Sequence, residues 1–241
     1  MKWMIVKKAE ELANVSYQLM KQEILRHPEG LTIGLATGSS PLGVYEEWRQ
    51  EELDCRHVTT VNLDEYVGLS PDHPHSYHTF MKEHLFDTVT FKESYLPIGN
   101  TADSHQESER YEQLVRTLGI DIQLLGIGSN GHIAFNEPGT PFDAKTHVTE
   151  LTESTRMANQ RFFDRLEDVP TEAITMGIGT IMEAKKILLV ASSERKAEAV
   201  RDMMEGPATV DCPATILQRH ADVMVVLDEE AAGLLSEEAK R

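Results

Sequence analysis

Short, continuous apolar runs alternate along this chain with amphipathic stretches, and few folds can accommodate that alternation. Runs at 31–36 (LTIGLA), 59–63, 121–128 (DIQLLGIG), 187–191 and 223–227 predict strands buried on both faces. Between them, apolar spacing and stop signals predict helices over 7–26, from Pro41 onward, and over 76–86 with Ser76 as N-cap. Further helices are expected over 103–118 (stopped by Gly119), near 154–166, over 194–205, and in an acidic segment at 229–238. The segment AITMGIGTIMEA is broken by glycines and is left unassigned. Strands that are apolar throughout and alternate with helices form a parallel sheet covered on both sides. The fold class expected is therefore α/β: a single-domain, mainly parallel, doubly wound (Rossmann-like) sheet. A length of 241 residues with no repeat or Pro/Gly/Ser linker fits one domain over 1–241.

Composition narrows what such a domain could bind. A net charge of −17 disfavours nonspecific contact with nucleic acid or an anionic membrane, both of which need a basic surface. An anionic small molecule is still compatible, provided a few donors are placed locally against the general field. No run approaches the roughly eighteen apolar residues of a membrane span, and Lys7 interrupts any apolar leader after the first lysine. A cytoplasmic location is expected. Cys55 and Cys212 lie in no CxxC or Cys/His pattern and are expected to be reduced thiols.

In doubly wound sheets the ligand sits beyond the carboxyl ends of the strands, so three polar loops that follow strands carry the functional reading. In the first, Thr37-Gly38-Ser39-Ser40-Pro41, backbone N–H groups, hydroxyls and a helix start suit an anion. A plain capped turn explains it equally well. In the second, Asp64-Glu65 follows a strand directly. A carboxylate partly desolvated there gains strength as a general base, although a turn or cap would use the same residues. The third, GIGSNGHIAFNEP at 126–138, contains G-x-G-x-x-G in Gly126, Gly128 and Gly131. A dinucleotide fingerprint requires a helix directly after the glycines, whereas here Pro138, Gly139 and Pro141 follow. The nucleotide reading fails. What remains is a loop presenting Asn130, His132, Asn136 and Glu137 together, with His132 and Glu137 as an oriented acid–base pair. Asp72, His73, His75 and His78 match no metal-ligand spacing, and a solvated loop is expected there. Among the cations Arg156, Arg161, Lys185, Lys186, Arg195 and Lys196, Arg161 and Lys196 could meet a phosphate held by the Ser39 loop.

Four segments, VNLDEYVGL, GHIAFNEPGTPF, STRMANQRFFD and AITMGIGTIMEAKKILLVAS, together resemble the glucosamine-6-phosphate deaminase (glucosamine-6-phosphate isomerase) family, in order from about Gly34 to Leu227. The resemblance implies conversion of glucosamine 6-phosphate and water to fructose 6-phosphate and ammonia in aminosugar catabolism, without metal or organic cofactor. On the matching positions, Asp64 would move the proton between C2 and C1, and His132 would assist ring opening with support from Glu137 and Asn130. Thr37, Gly38, Ser39, Ser40, Arg161 (on a mobile, lid-like segment) and Lys196 would hold the phosphate. The partner implied is a small sugar phosphate, bound by a monomer or a homo-oligomer.

The pattern departs from the family in two places. Many members carry Asp where this chain has Asn130. An Asn can orient His132 but cannot stabilise an imidazolium by charge, so a changed pH profile is expected rather than inactivity. Allosterically activated hexamers carry basic residues in the segment matching 147–149 and a longer tail, so activation by N-acetylglucosamine 6-phosphate is not expected. Two other readings compete. A 6-phosphogluconolactonase would share the fold, but the combination of LDEY and FNEP favours the deaminase. A sugar-phosphate sensor would need a DNA-binding helix-turn-helix, and nothing of that kind precedes Leu31.

Overall fold

The computed structural model describes residues 1–240. Ten strands and seven α-helices alternate along it. They are β1 (Lys2–Val6), α1 (Ala9–Arg26), β2 (Leu31–Leu35), α2 (Leu42–Gln50), β3 (Val58–Asn62), β4 (Asp64–Tyr66), α3 (Tyr77–Met81), β5 (Glu93–Tyr95), α4 (Ser104–Leu118), β6 (Ile122–Leu125), β7 (His147–Glu150), α5 (Glu153–Asn159), β8 (Glu172–Thr175), α6 (Ile178–Ile181), β9 (Lys186–Ala191), α7 (Ala197–Glu205) and β10 (Val223–Asp228).

Seven strands form one parallel sheet in the order β1-β10-β9-β6-β2-β3-β5. Successive residues of each strand face opposite sides, and the core divides accordingly. Leu125, Leu189 and Val225 pack with Tyr111 and Val115 of α4, Ile178 of α6 and Val200 of α7. Leu124, Leu188 and Val226 pack on the other face with Tyr17 and Met20 of α1 and with Tyr45 and Trp48 of α2. Two-sided burial is the reason these strands carry unbroken apolar runs. The doubly wound, mainly parallel expectation is met.

A smaller antiparallel sheet, β4-β8-β7, stands beside the first. An aromatic cluster of Tyr66, Phe135 and Phe163 underlies it. The glycine-broken segment supplies β8 and α6, with Gly177 between them. A Cβ on Gly177 would lie 2.1 Å from the carbonyl oxygen of Ala144 and 2.2 Å from that of Lys145, so only glycine lets the chains pass.

Three helix expectations need correction. The helix near 154–166 ends at Asn159. A 3₁₀ turn at 160–162 follows, then extended backbone at Phe163, and a second 3₁₀ turn at 166–168. Phe163 leaves the helix to bury its ring against Tyr66, 5.7 Å away edge to face. No helix forms at 229–238. Turns run there instead, with Ala231, Ala232 and Leu235 buried and Gly233 weakening helix propensity. The segment at 194–205 opens as a 3₁₀ turn and becomes α-helical only at Ala197. Ser76 caps α3 as expected, its hydroxyl accepting the Thr79 N–H at 3.1 Å. Beyond α3, residues 82–86 continue as a π-turn.

Candidate active site

Strand order reverses between β2 and β6, since later strands add outward on either side of that pair. The loops after β2 and β6 therefore part there and leave a crevice at the switch point. One cleft fills it. Thr37 to Ser40, Asp64, Asn130, His132, Arg161 and Lys196 all line it, so every site residue expected from sequence except Glu137 faces one space. Glu137 lies directly behind His132.

Asp64 sits just beyond the end of β3 and is 5% exposed. Burial, and next the charge of Glu65, raise its carboxyl to about 8, against a smaller opposing hydrogen bond from Thr37. The two adjacent carboxylates thus have distinct surroundings. Glu65 is fully buried and accepts the backbone N–H groups of Tyr66, Tyr77 and His78 at 2.8–3.1 Å, with the His78 Nδ1 at 2.9 Å. It fastens the start of α3 under the site, while Asp64 stays free of such ties. His78 is therefore a structural partner of Glu65. His73 Nδ1 accepts the His75 N–H, and the His75 ring lies 4.7 Å from that of Phe163. Among the described residues no group of three His, Cys, Asp or Glu side chains could hold a metal ion.

The loop after β6 closes on itself. The Gly131 N–H donates to the Gly128 carbonyl, and the Gly128 N–H to the His132 carbonyl. The glycines that mimic a nucleotide fingerprint serve this turn. A Cβ on Gly128 would lie 2.4 Å from the His132 ring, and Gly131 has φ +83° with the Cys212 sulfur packed against it. No helix follows. Asn130 then does two things at once. Its carbonyl oxygen accepts the His132 backbone N–H at 3.2 Å, and its amide donates to Glu137 Oε2 at 2.8 Å. His132 Nδ1 stands 3.6 Å from the same Glu137 oxygen, just beyond hydrogen-bond distance. Thr152 and Thr155 of the α5 start donate to Glu137 Oε1. Burial alone would raise the Glu137 carboxyl. The imidazole, the Thr155 hydroxyl and the Asn130 amide outweigh it and bring it down to about 2. The fourth residue of this loop set, Asn136, is fully buried and donates to the carbonyls of Ile133 and Met176 at 2.9 and 2.8 Å, so it braces the loop.

At the other end of the cleft, Arg161 Nη2 donates to Ser39 Oγ at 3.1 Å. Lys196 shares that end, and burial together with the Arg161 charge lowers its proton affinity. The N–H groups of Gly38, Ser39 and Ser40 are taken by no other described residue. The remaining cations are engaged elsewhere. Lys185 pairs with Asp121, Lys186 with Glu23, and Arg156 donates to the carbonyls of Leu166 and Val169. Arg195 is exposed. Three participants escaped the sequence reading. Tyr77 and Asn159 line the cleft, and Thr155 grips Glu137 from behind. The only sequence signals were the Ser76 cap before Tyr77 and the polar face of STRMAN.

Fold and cleft define the class: a doubly wound α/β enzyme whose ionisable groups converge at the topological switch point. Residues 6–226 match the family of glucosamine-6-phosphate isomerases/6-phosphogluconolactonase, and the chain belongs to it. It is 90% identical over 241 residues to the glucosamine-6-phosphate deaminase of Exiguobacterium sibiricum, covering all of this chain and 96% of the relative. It is 55% identical to that of Bacillus cereus, over 97% of this chain and 89% of the relative. Among solved structures it is similar to a monomeric glucosamine-6-phosphate deaminase, with TM-score 0.95 and 47% identity over 97% of this chain and all of the other. The 6-phosphogluconolactonase of Trypanosoma brucei shares the fold alone, with TM-score 0.80 and 20% identity over 98% of each chain.

Proposed function

We propose that this enzyme is a deaminating aldose–ketose isomerase that converts glucosamine 6-phosphate and water to fructose 6-phosphate and ammonia in aminosugar catabolism. The observation that carries the reading is convergence: Thr37, Gly38, Ser39, Ser40, Arg161 and Lys196, which suit an anion, line the same cleft as Asp64 and His132, which suit proton transfer.

The phosphate enters among the first set, where free N–H groups, a guanidinium and an ammonium face the same space. It fixes the sugar so that its C1–C2 bond lies over Asp64. His132 exchanges the proton that ring opening requires, its imidazolium form balanced by ionised Glu137. Asp64 takes the C2 proton of the open-chain aldehyde, the freed pair forms the C1–C2 double bond, and the carbonyl pair moves onto O1, which takes up a proton to give an enolamine. Returning the C2 proton to C1, as the nitrogen gives up one of its own, leaves an imine at C2. Water adds there and ammonia departs, so one water is consumed for each ammonia released. A base raised to about 8 is matched to a weakly acidic carbon-bound proton. Each step uses side chains alone, without metal or organic cofactor.

Residues 1–241 act as one domain on this reading. The protein works as a cytoplasmic monomer with a small sugar phosphate as its partner and with no nucleic acid or membrane. The test is time-resolved release of both products from glucosamine 6-phosphate, with chelator present and no cofactor added. Equal amounts of ammonia and fructose 6-phosphate are expected. Folded protein that releases neither would overturn the assignment, and 6-phosphogluconolactone would then be assayed.

A further inference from the structure

Two non-glycine residues among those described have positive φ, Ala134 at 52° and Ser193 at 79°. Side chains disfavour this conformation, and it persists only where the surroundings enforce it. Ala134 belongs to the loop after β6 and lines the cleft. Ser193 lies two residues past the end of β9 and three before Lys196, which does line the cleft.

What enforces Ser193 is a buried carboxylate on the neighbouring strand. Leu227 pairs with Ala191, which places Asp228, the last residue of β10, beside the chain as it leaves β9. Asp228 is 5% exposed, and both its oxygens accept the Ser193 N–H, at 3.2 and 3.1 Å. Its Oδ1 also accepts the Ala231 N–H at 2.7 Å. The turn held this way runs directly into the 3₁₀ turn of Glu194–Lys196, where the Lys196 N–H donates to the Ser193 carbonyl at 3.0 Å.

We propose that Asp228 is a positioning residue for the anion-binding end of the cleft, setting through the Ser193 turn where Lys196 presents its ammonium group. The inference rests on the reading of Lys196 as a phosphate contact. Without the Asp228 acceptors, Ser193 relaxes towards negative φ, the 3₁₀ turn rotates and the Lys196 stem starts from the wrong place. Asp64 and His132 lie on other strand ends and are left undisturbed. The loss should therefore fall on phosphate binding rather than on proton transfer.

Steady-state kinetics with glucosamine 6-phosphate, together with the inhibition constant of inorganic phosphate, test this. Asp228→Ala should raise KM and the phosphate inhibition constant about tenfold each, with kcat within about twofold, as for a lost hydrogen bond that acts on binding. Ser193→Gly in the Asp228→Ala background should recover most of both, because glycine adopts φ +79° unaided. Should Asp228→Ala fail to fold, Asp228→Asn keeps the volume and one acceptor, and about a threefold rise is expected. A purely structural Asp228 would lower the active fraction and leave both constants at wild-type values. That result, or a rise that Ser193→Gly does not relieve, overturns the inference. Lys196→Ala separates the two levels. If it raises the phosphate constant and the Asp228 variants do not, only the positioning role fails. If it leaves the constant unchanged, the phosphate reading fails first.

Discussion

Burial, and next the charge of Glu65, raise the Asp64 carboxyl to about 8, so near neutral pH a minority ionised form serves as the base. Glu137, across the cleft, is ionised down to about pH 2 because donors surround it. Two carboxylates driven apart in this way can hold different jobs at one pH. For Asp64 the folded chain binds the proton more tightly than the unfolded chain does. The stability this confers is complete below about pH 4 and is lost as pH rises towards 8. Asp64→Asn abolishes the titration. It should reduce kcat by about 10²–10⁴-fold and yet be more stable than wild type at pH 8.5, by roughly 2–5 kcal/mol. Urea unfolding at pH 5 and pH 8.5 measures the difference, which should shrink at the lower pH. Equal stability at pH 8.5 would mean that Asp64 ionises without penalty. Asn130 invites the reverse substitution. In Asn130→Asp the donor to Glu137 becomes a second carboxylate, so one of the pair must take up a proton. Activity should survive with the acid limb of its pH profile moved upward, at a cost of about 1–3 kcal/mol. An unchanged profile would show that the Asn130 amide does not govern Glu137.

Helix α5 begins where Thr152 and Thr155 hold Glu137, and it ends where the chain turns out to carry Arg161 over Ser39. One short element thus joins the support of the imidazole to the part of the cleft where Arg161 meets Ser39. Thr155→Val keeps the shape and removes a buried donor, so Glu137 loses one of the groups that hold its proton affinity down. A loss of about 1–3 kcal/mol is expected, with kcat falling most on the acid side. Denaturation together with a pH–rate profile would check it, and wild-type behaviour in both would dismiss the link. How much of this could be read in advance follows from burial. β2, β6, β9 and β10 were legible because apolar residues fill most of each, and β3 because its valines and threonines are β-branched. The loops after β2, β3 and β6 were legible as candidate sites because they follow those strands. β1 and β5 lie at sheet edges, and β4 and β7 exist through antiparallel pairing with β8, so their short sequences carry no period of their own. The early end of α5 was hidden because Phe163 departs for a ring partner almost a hundred residues away in sequence. Thr155 was hidden because its role depends on Glu137 lying behind it.

At the scale of the whole molecule, the sheet must end somewhere, and open edges attract other chains. Both edges here are blunted. β5 is three residues long and carries exposed Glu93. β1 exposes Trp3 and Met4, but the Trp3 Nε1 donates to the Ala239 carbonyl at 2.7 Å, which brings the C-terminal turns against that edge. The other exposed large apolar side chains, such as Leu25 on α1, Ile98 after β5 and Leu234 in the C-terminal turns, belong to different elements. A net charge of −17 opposes self-association further. The protein should therefore sediment as a single species of 27.1 kDa. Its rate should rise hyperbolically with glucosamine 6-phosphate, with a Hill coefficient of about 1 that N-acetylglucosamine 6-phosphate leaves unaltered. A mass at a multiple of 27.1 kDa, or sigmoidal kinetics that an effector straightens, would mean that a face which looks free in the monomer is an interface. The edge at β1, with Trp3 and Met4, would be the first place to look for it.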